Sequence, residues 1–179
     1  MLSSLASRTT PYGGRILQVN HAGEHGAIQI YAAQIAIARW RAPALVAQLQ
    51  QFRAHELRHR DIFAAELRRR GIARCRSYAL CGIGGYLLGL ISGVCGPAAI
   101  AATTVAVEAV VLHHLQHQMR TLQGTDEMAL AAVSAIVADE QRHHDEAALH
   151  EQAGAFWPTI FKPLVRIATE SVIWLGMRL

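Results

Sequence analysis

The sequence carries Glu-x-x-His twice, as Glu56-Leu57-Arg58-His59 and as Glu140-Gln141-Arg142-His143, and each copy follows a further glutamate at the same distance. Glu24 stands 32 residues before Glu56, and Glu108 stands 32 residues before Glu140. Three positions of one half thus recur in the other at an offset of 84: 24 and 108, 56 and 140, 59 and 143. A spacing of 32 residues lets the chain run along one helix, turn and return along the next. Two such halves predict a four-helix bundle.

Each glutamate interrupts an apolar helical stripe. Leu17, Ile28, Tyr31 and Ile35 share a face with Glu24; Leu49, Phe52, Phe63 and Leu67 with Glu56 and His59. Val105, Leu112, Leu115 and Met119 do so for Glu108, and Leu130, Val133 and Ala147 for Glu140 and His143. A carboxylate in such a stripe is expensive unless paired or metal-bound. Four of them, one per helix, ask for a shared explanation, and a metal pair supplies it. Bundle di-metal sites take one Glu from each of two helices and a Glu-x-x-His from each of the other two. Spacing i, i+3 puts the Glu and His of each pair on one face. The four carboxylates balance two divalent ions, and oxygen-rich ligation with one nitrogen per metal suits iron or manganese better than zinc.

His55-Glu56-Leu57-Arg58-His59 also reads as the His-Glu-x-x-His of zinc proteases. That reading leaves Glu24, Glu108 and Glu140 without a role, and the second copy has Asp139 where His55 stands. Tyr31, His55, Asp139 and Asp145, with His144, are instead candidates for groups supporting the ligands.

Helical spacing dominates the rest of the chain. Helices are expected over 14–41, before Pro43, and over 44–70, ending at Gly71. Segment 77–107 contains no charged residue. Its length would suit a bilayer span, but Gly93 and Gly96-Pro97 should break it into a short apolar helix, a turn and a helix over 97–122. A fourth long helix, capped by Thr125 or Asp126, should run to 152. A last amphipathic helix is expected over 158–178, with Lys162, Arg166, Thr169 and Glu170 on its polar arc. The expected fold class is all-α, a four-helix bundle with additional apolar membrane-associating helices. Residues 14–179 would form one domain behind a flexible tail at 1–13.

Composition narrows the partners. Of 179 residues, 52% are hydrophobic and 17% charged, against about a quarter charged in ordinary soluble domains. Apolar surface is therefore left for lipid or for a second copy of the chain. The net charge of +4 comes with 6% aromatics and no nucleic-acid-binding pattern, so an anionic membrane surface is expected and nucleic acid is not. Three cysteines with no Cys-x-x-Cys pair indicate a reducing compartment.

Val19-Asn20-His21-Ala22-Gly23-Glu24-His25-Gly26-Ala27 followed by Ile30-Tyr31-Ala32, Thr104-Val105-Ala106-Val107-Glu108 followed by His113-His114, and Asp139-Glu140-Gln141-Arg142-His143-His144-Asp145 together resemble the motifs of the demethoxyubiquinone hydroxylase family of ubiquinone biosynthesis. The likeness covers residues 15–179 in order. It implies a ferritin-like di-iron monooxygenase that uses dioxygen to hydroxylate the ring of a polyprenylated quinone. By the same likeness the ligands of two irons are Glu24, Glu56, His59, Glu108, Glu140 and His143, with His114 as an accessory residue. NADH or another reductant would supply electrons. The implied setting is peripheral, on the cytoplasmic face of a bacterial inner membrane or the matrix face of a mitochondrial one, with a homo-oligomer and a lipid-presenting accessory protein as further partners. Two positions depart from the family pattern: His25 and Leu115 stand where tyrosines are expected, which leaves open a different ring position. An iron-storage or peroxide-handling protein on the same bundle is the alternative that shares the ligands.

Overall fold

The computed structural model describes residues 9–151 and 156–179, and every regular element among them is helical. In order these are α1 (Pro11–Arg41), α2 (Val46–Arg69), α3 (Tyr78–Cys95), α4 (Pro97–Leu122), α5 (Glu127–Ser134), α6 (Val137–Ala148) and α7 (Phe156–Gly176), with a 3-10 turn, Pro43–Leu45, between α1 and α2. Residues 1–8 of the expected tail lie outside the described residues. The first helix starts at Pro11 rather than at 14 because Thr10 caps it: its hydroxyl accepts from the Gly13 amide at 2.9 Å, and Pro11 suits a first turn.

The uncharged segment breaks where its glycines indicated. Gly96, at φ 94° and ψ −172°, takes a positive-φ extended conformation open to glycine between α3 and α4. The expected continuous fourth helix is instead two, α5 and α6. No glycine or proline parts them. At the junction the Ile136 amide turns to the Val133 carbonyl, three residues back. That tightened turn sets Val133 and Ile136 one above the other, and both are fully buried in the same core cluster.

α1, α2, α4 and the α5–α6 pair form the bundle, with two apolar cores. Ile16, Leu17, Phe63, Leu67, Leu115 and Leu122 belong to one, with Val133 and Ile136. Tyr31, Ile35, Leu49, Phe52 and Ile100 belong to the other. On α1, α2 and α4 the acidic residue falls between the two sets. α3 lies along α1 through Gly82, Gly85, Gly89 and Gly93, spaced three or four apart. A methyl at Gly85 would land on the Gly26 carbonyl and one at Gly89 on the Ile30 carbonyl. The glycines thus let the two backbones touch, and this turns the other face of α3 outward, with Leu80, Ile83, Leu87 and Ile91 exposed. α7 packs on α4 through Phe161 and Val165.

Candidate metal centre

Glu24 from α1, Glu56 and His59 from α2, Glu108 from α4, and Glu140 and His143 from α6 meet between the two cores, none more than 6% exposed. His59 Nδ1 lies 2.8 Å from Glu140 Oε1, 3.6 Å from Glu56 Oε2 and 4.0 Å from Glu24 Oε2. His143 Nδ1 lies 3.0 Å from Glu56 Oε1, 3.7 Å from Glu140 Oε2 and 4.0 Å from Glu108 Oε1. The six residues form two groups able to hold a metal ion, Glu24, Glu56, His59 and Glu140 in one and Glu56, Glu108, Glu140 and His143 in the other, with donor atoms within 4.8 Å of one another in each. Glu56 and Glu140 belong to both groups, so each can bridge. Each group has one imidazole nitrogen.

The orphaned atoms support the fit to a metal pair. Glu56 Oε1, Glu140 Oε1, His59 Nδ1 and His143 Nδ1 are buried, and none makes a hydrogen bond despite the short separations. Buried polar atoms are rarely left unpaired. These four therefore stand close together, buried and without hydrogen bonds, as donor atoms to a shared cation would.

The cluster is also electrostatically crowded. Burial, then the charge of neighbouring carboxylates, pushes Glu24 and Glu108 well above the usual carboxylate range, and Glu140 rises for the same reasons. Burial would raise Glu56 too, but His143 and His59 beside it hold it below that range. Burial alone would lower His59, yet contact with Glu140 and Glu56 carries it up to about 10. Cations placed among the four carboxylates would relieve this repulsion.

The surrounding groups divide the sequence expectations. The Tyr31 hydroxyl donates to Glu108 Oε1 at 2.9 Å. His55 Nδ1 lies 3.0 Å from His143 Nε2, and Asp139 Oδ2 lies 3.2 Å from His59 Nε2. Asp145 and His144 do not reach the cluster: they pair with each other at 3.0 Å on the surface, where Gln141 also holds Asp145. Nor does His114, which pairs with Glu170 of α7 at 2.8 Å. Asn20 and Gln118, which the repeat did not single out, hydrogen-bond reciprocally between α1 and α4 at 2.8 and 3.2 Å. Their signal in the sequence was position alone: Asn20 is one turn before Glu24.

All four glutamates border a cavity of about 240 Å³. Its walls are otherwise mostly apolar, including Ile30, Leu88, Val107, Val111, Val172 and Ile173, and it reaches out between α3 and α7 past Leu80, Gly84 and Ala168. Leu115 lines it beside the carboxylates. His25, the other unusual position, stacks on Tyr78 with ring centroids 4.1 Å apart.

Residues 12–176 match the family described as "Ubiquinone biosynthesis protein COQ7". The chain belongs to this family. Among curated relatives, it is 30% identical over 170 residues to "NADPH-dependent 3-demethoxyubiquinone 3-hydroxylase, mitochondrial" of Dictyostelium discoideum, covering 92% of this chain and 76% of that one. The human protein of the same name is 29% identical over 171 residues, covering 92% and 77%. The "3-demethoxyubiquinol 3-hydroxylase" of Rhodospirillum rubrum is 30% identical over 167 residues, again covering 92% and 77%. The bundle, the paired Glu and His groups and the apolar cavity thus belong to a protein of ubiquinone biosynthesis whose relatives are named hydroxylases.

Proposed function

We propose that this chain is a di-iron monooxygenase that hydroxylates the ring of a polyprenylated demethoxyubiquinol or demethoxyubiquinone, with dioxygen as co-substrate. The observation that carries the reading is the shared boundary: the four glutamates that could hold two metals are also the polar end of an apolar cavity. Glu24 and His59 would hold one iron, Glu108 and His143 the other, and Glu56 and Glu140 both. A bound di-iron pair would supply the reductive activation of dioxygen. The chain's own residues supply the rest. Tyr31 fixes Glu108 through its 2.9 Å hydrogen bond, while Asp139 and His55 orient the two imidazoles. The apolar walls hold the ring against the carboxylates and keep water out. The open space over Gly23 leaves room for the ring.

The relatives' names place hydroxylation at ring position 3, and that is the position proposed here. The same names favour NADPH as the reductant in the mitochondrial proteins. The cavity also favours hydroxylation over iron storage or peroxide handling, neither of which needs an apolar chamber beside the acids.

The substrate would be drawn from lipid. The mouth of the cavity lies between α3 and α7, and both helices carry exposed apolar side chains, Ile83, Leu87 and Ile91 on one and Leu164, Ile167 and Trp174 on the other. α3 and α4 are both long and apolar enough to cross a membrane. α4 is largely buried in the bundle, so α3 and α7 form the membrane-facing surface of a peripheral protein. Of the two basic groups on α7, Lys162 is taken up by Glu151 at 2.6 Å, which leaves Arg166, with Arg178 just past the end of the helix over the Trp174 ring, for anionic headgroups.

The test is iron analysis and turnover together. The chain loaded with ferrous iron should bind two irons and, given dioxygen and a two-electron reductant such as NADPH, convert a short-tailed demethoxyubiquinol to a product heavier by one oxygen atom, the second oxygen leaving as water. Glu56→Ala and Glu140→Ala should lose both properties. Either variant keeping two irons and full hydroxylation would overturn the assignment.

A further inference from the structure

Within the cavity, the side chains outside the six metal candidates that can hydrogen-bond through nitrogen or oxygen are few: Asn20 on α1 and Thr169 on α7. Thr169 is on the outer wall, part-exposed. Asn20 is part-exposed as well, and its amide is anchored to the buried Gln118 of α4. It precedes Glu24 by one turn on the same face of α1, so the two are about 6 Å apart along the helix. Between them on this wall is Gly23, where a side chain would meet open space. A flat ring can therefore lie against the bare helix backbone, with Glu24 at one end and Asn20 at the other.

Asn20 is held in place. Its amide nitrogen donates to Gln118 Oε1 at 2.8 Å, and its carbonyl oxygen accepts from Gln118 Nε2 at 3.2 Å. Gln118 itself is 5% exposed. A primary amide has two N–H donors and two acceptor lone pairs. The reciprocal pair uses one of each and leaves one N–H and one lone pair on Asn20 at the cavity border. The cluster of carboxylates cannot do the same work, because groups committed to cations are not free to read a ring substituent.

Resting on the hydroxylase reading above, we propose that Asn20, locked by Gln118, is the positioning residue that reads a ring oxygen of the quinone and sets which ring carbon faces the carboxylates. The ligand class is an oxygen-substituted six-membered ring. A carbonyl or methoxy oxygen takes the free N–H, and a hydroxyl of the reduced ring can also give its proton to the free lone pair. An apolar chamber gives the ring's oxygen few other partners, and a buried oxygen without one loses binding by roughly tenfold to a hundredfold.

The experiment is equilibrium binding of a short-tailed benzoquinone and of its quinol, the latter kept reduced under argon, to the purified full chain, with iron content and thermal midpoint measured on each variant. Asn20→Ala should weaken both ligands by roughly tenfold to a hundredfold while two irons and the folded state are kept. Gln118→Leu, which frees the amide to rotate, should weaken both by a smaller factor. Asn20→Asp keeps an acceptor and loses both N–H groups, so it should weaken the quinone and spare the quinol. A merely structural role would move both ligands alike. Quinone and quinol affinities within twofold of the parent in Asn20→Ala, or equal losses for both ligands in Asn20→Asp, overturn the inference and leave the hydroxylase reading standing. Failure of the unmodified chain to bind either ligand overturns that reading as well.

Discussion

His55 Nδ1 stands 3.0 Å from Nε2 of His143, and Asp139 Oδ2 stands 3.2 Å from Nε2 of His59. Each Glu-x-x-His is thus steadied by the residue immediately preceding the other one. The exchange follows from antiparallel α2 and α6 packing their acidic faces together. An imidazole that presents Nδ1 to a metal needs a partner for Nε2 to fix its ring plane. His55→Ala should therefore lower iron affinity by about tenfold to a hundredfold, with His55→Gln, which can still hydrogen-bond to His143, recovering most of the loss. Asp139→Ala should do the same through His59. Chelator competition on the purified chain reads both, and unchanged affinity in His55→Ala would show that the His143 ring is held by other contacts such as Phe52, whose ring centroid is 4.4 Å away.

The glycines on α3 give a prediction of opposite signs along one helix. Gly85 meets the Gly26 carbonyl of α1, whereas Gly84, its neighbour, has open space where a side chain would stand. Gly85→Ala must push two backbones apart and should lower stability by about 1–3 kcal/mol. Gly84→Ala meets no obstacle and removes chain entropy from the unfolded state, so it should raise stability by about 0.4–1 kcal/mol. Urea unfolding followed by circular dichroism separates the two. Equal effects would mean that α3 is not held against α1 through this stripe.

Much of this was legible in the sequence, and the reason is the repeat. Glutamates in apolar stripes at matched spacing can be satisfied in few ways, so the spacing alone predicts that Glu24, Glu56, His59, Glu108, Glu140 and His143 meet inside the bundle, as they do. Tyr31 was within reach because it lies two turns from Glu24 on the same face, and His55 and Asp139 because each immediately precedes a ligand candidate at the edge of that face. Asp145 was drawn in by nearness along the chain, but two residues past His143 a helix has turned its side chain outward, where His144 and Gln141 meet it. The Asn20–Gln118 pair was not legible, since it depends on how α1 and α4 are rotated against each other. Nor was the break at Ile136, which tertiary packing imposes on a run with no helix-breaking residue. That α3 lies on α1 follows from Gly82, Gly85, Gly89 and Gly93 sharing one face, whereas the break depends only on the stretch from Gly93 to Pro97.

At the far end of the bundle, Arg70 makes two hydrogen bonds to Asp126, at 2.7 and 2.8 Å, and Asp126 also accepts from the Thr10 amide at 3.0 Å and caps α5 through the Ala129 amide at 3.1 Å. One buried carboxylate thus ties the ends of α1, α2 and α5. Burial alone would raise Asp126, but Arg70 and the two amides bring it down to about 2 from 3.8. A depressed carboxylate binds fewer protons in the folded state than in the unfolded one. Its contribution is therefore complete above about pH 4 and disappears as pH falls through 2. Asp126→Asn should cost about 3 kcal/mol at neutral pH, and the gap to the parent should close by roughly 2 kcal/mol on acidification to pH 2. Denaturant titrations of both proteins at several pH values test this, and a gap independent of pH would show that the charge of Asp126 is not what binds these helices.

The outward face of α3 bears on how a nearly insoluble substrate reaches the carboxylates. Ile83, Leu87 and Ile91 recur every four residues on one side of that helix and are all more than half exposed. The helix carries no charged side chain, so water gains nothing from contact with it, and the cavity mouth opens at its edge past Leu80 and Gly84. Transfer of each such side chain from water into the acyl boundary of a bilayer is worth about 1.5–3 kcal/mol. Ile83→Glu combined with Leu87→Glu should then reduce co-sedimentation with vesicles containing anionic lipid by at least tenfold, by the lower of those values applied once. Because neither residue lines the cavity, turnover of a water-soluble short-tailed quinol should be retained, while turnover of a long-tailed one delivered in vesicles should fall with the binding. Loss of both activities would instead trace the effect to α1–α3 packing, and undiminished vesicle binding would remove α3 from the membrane contact.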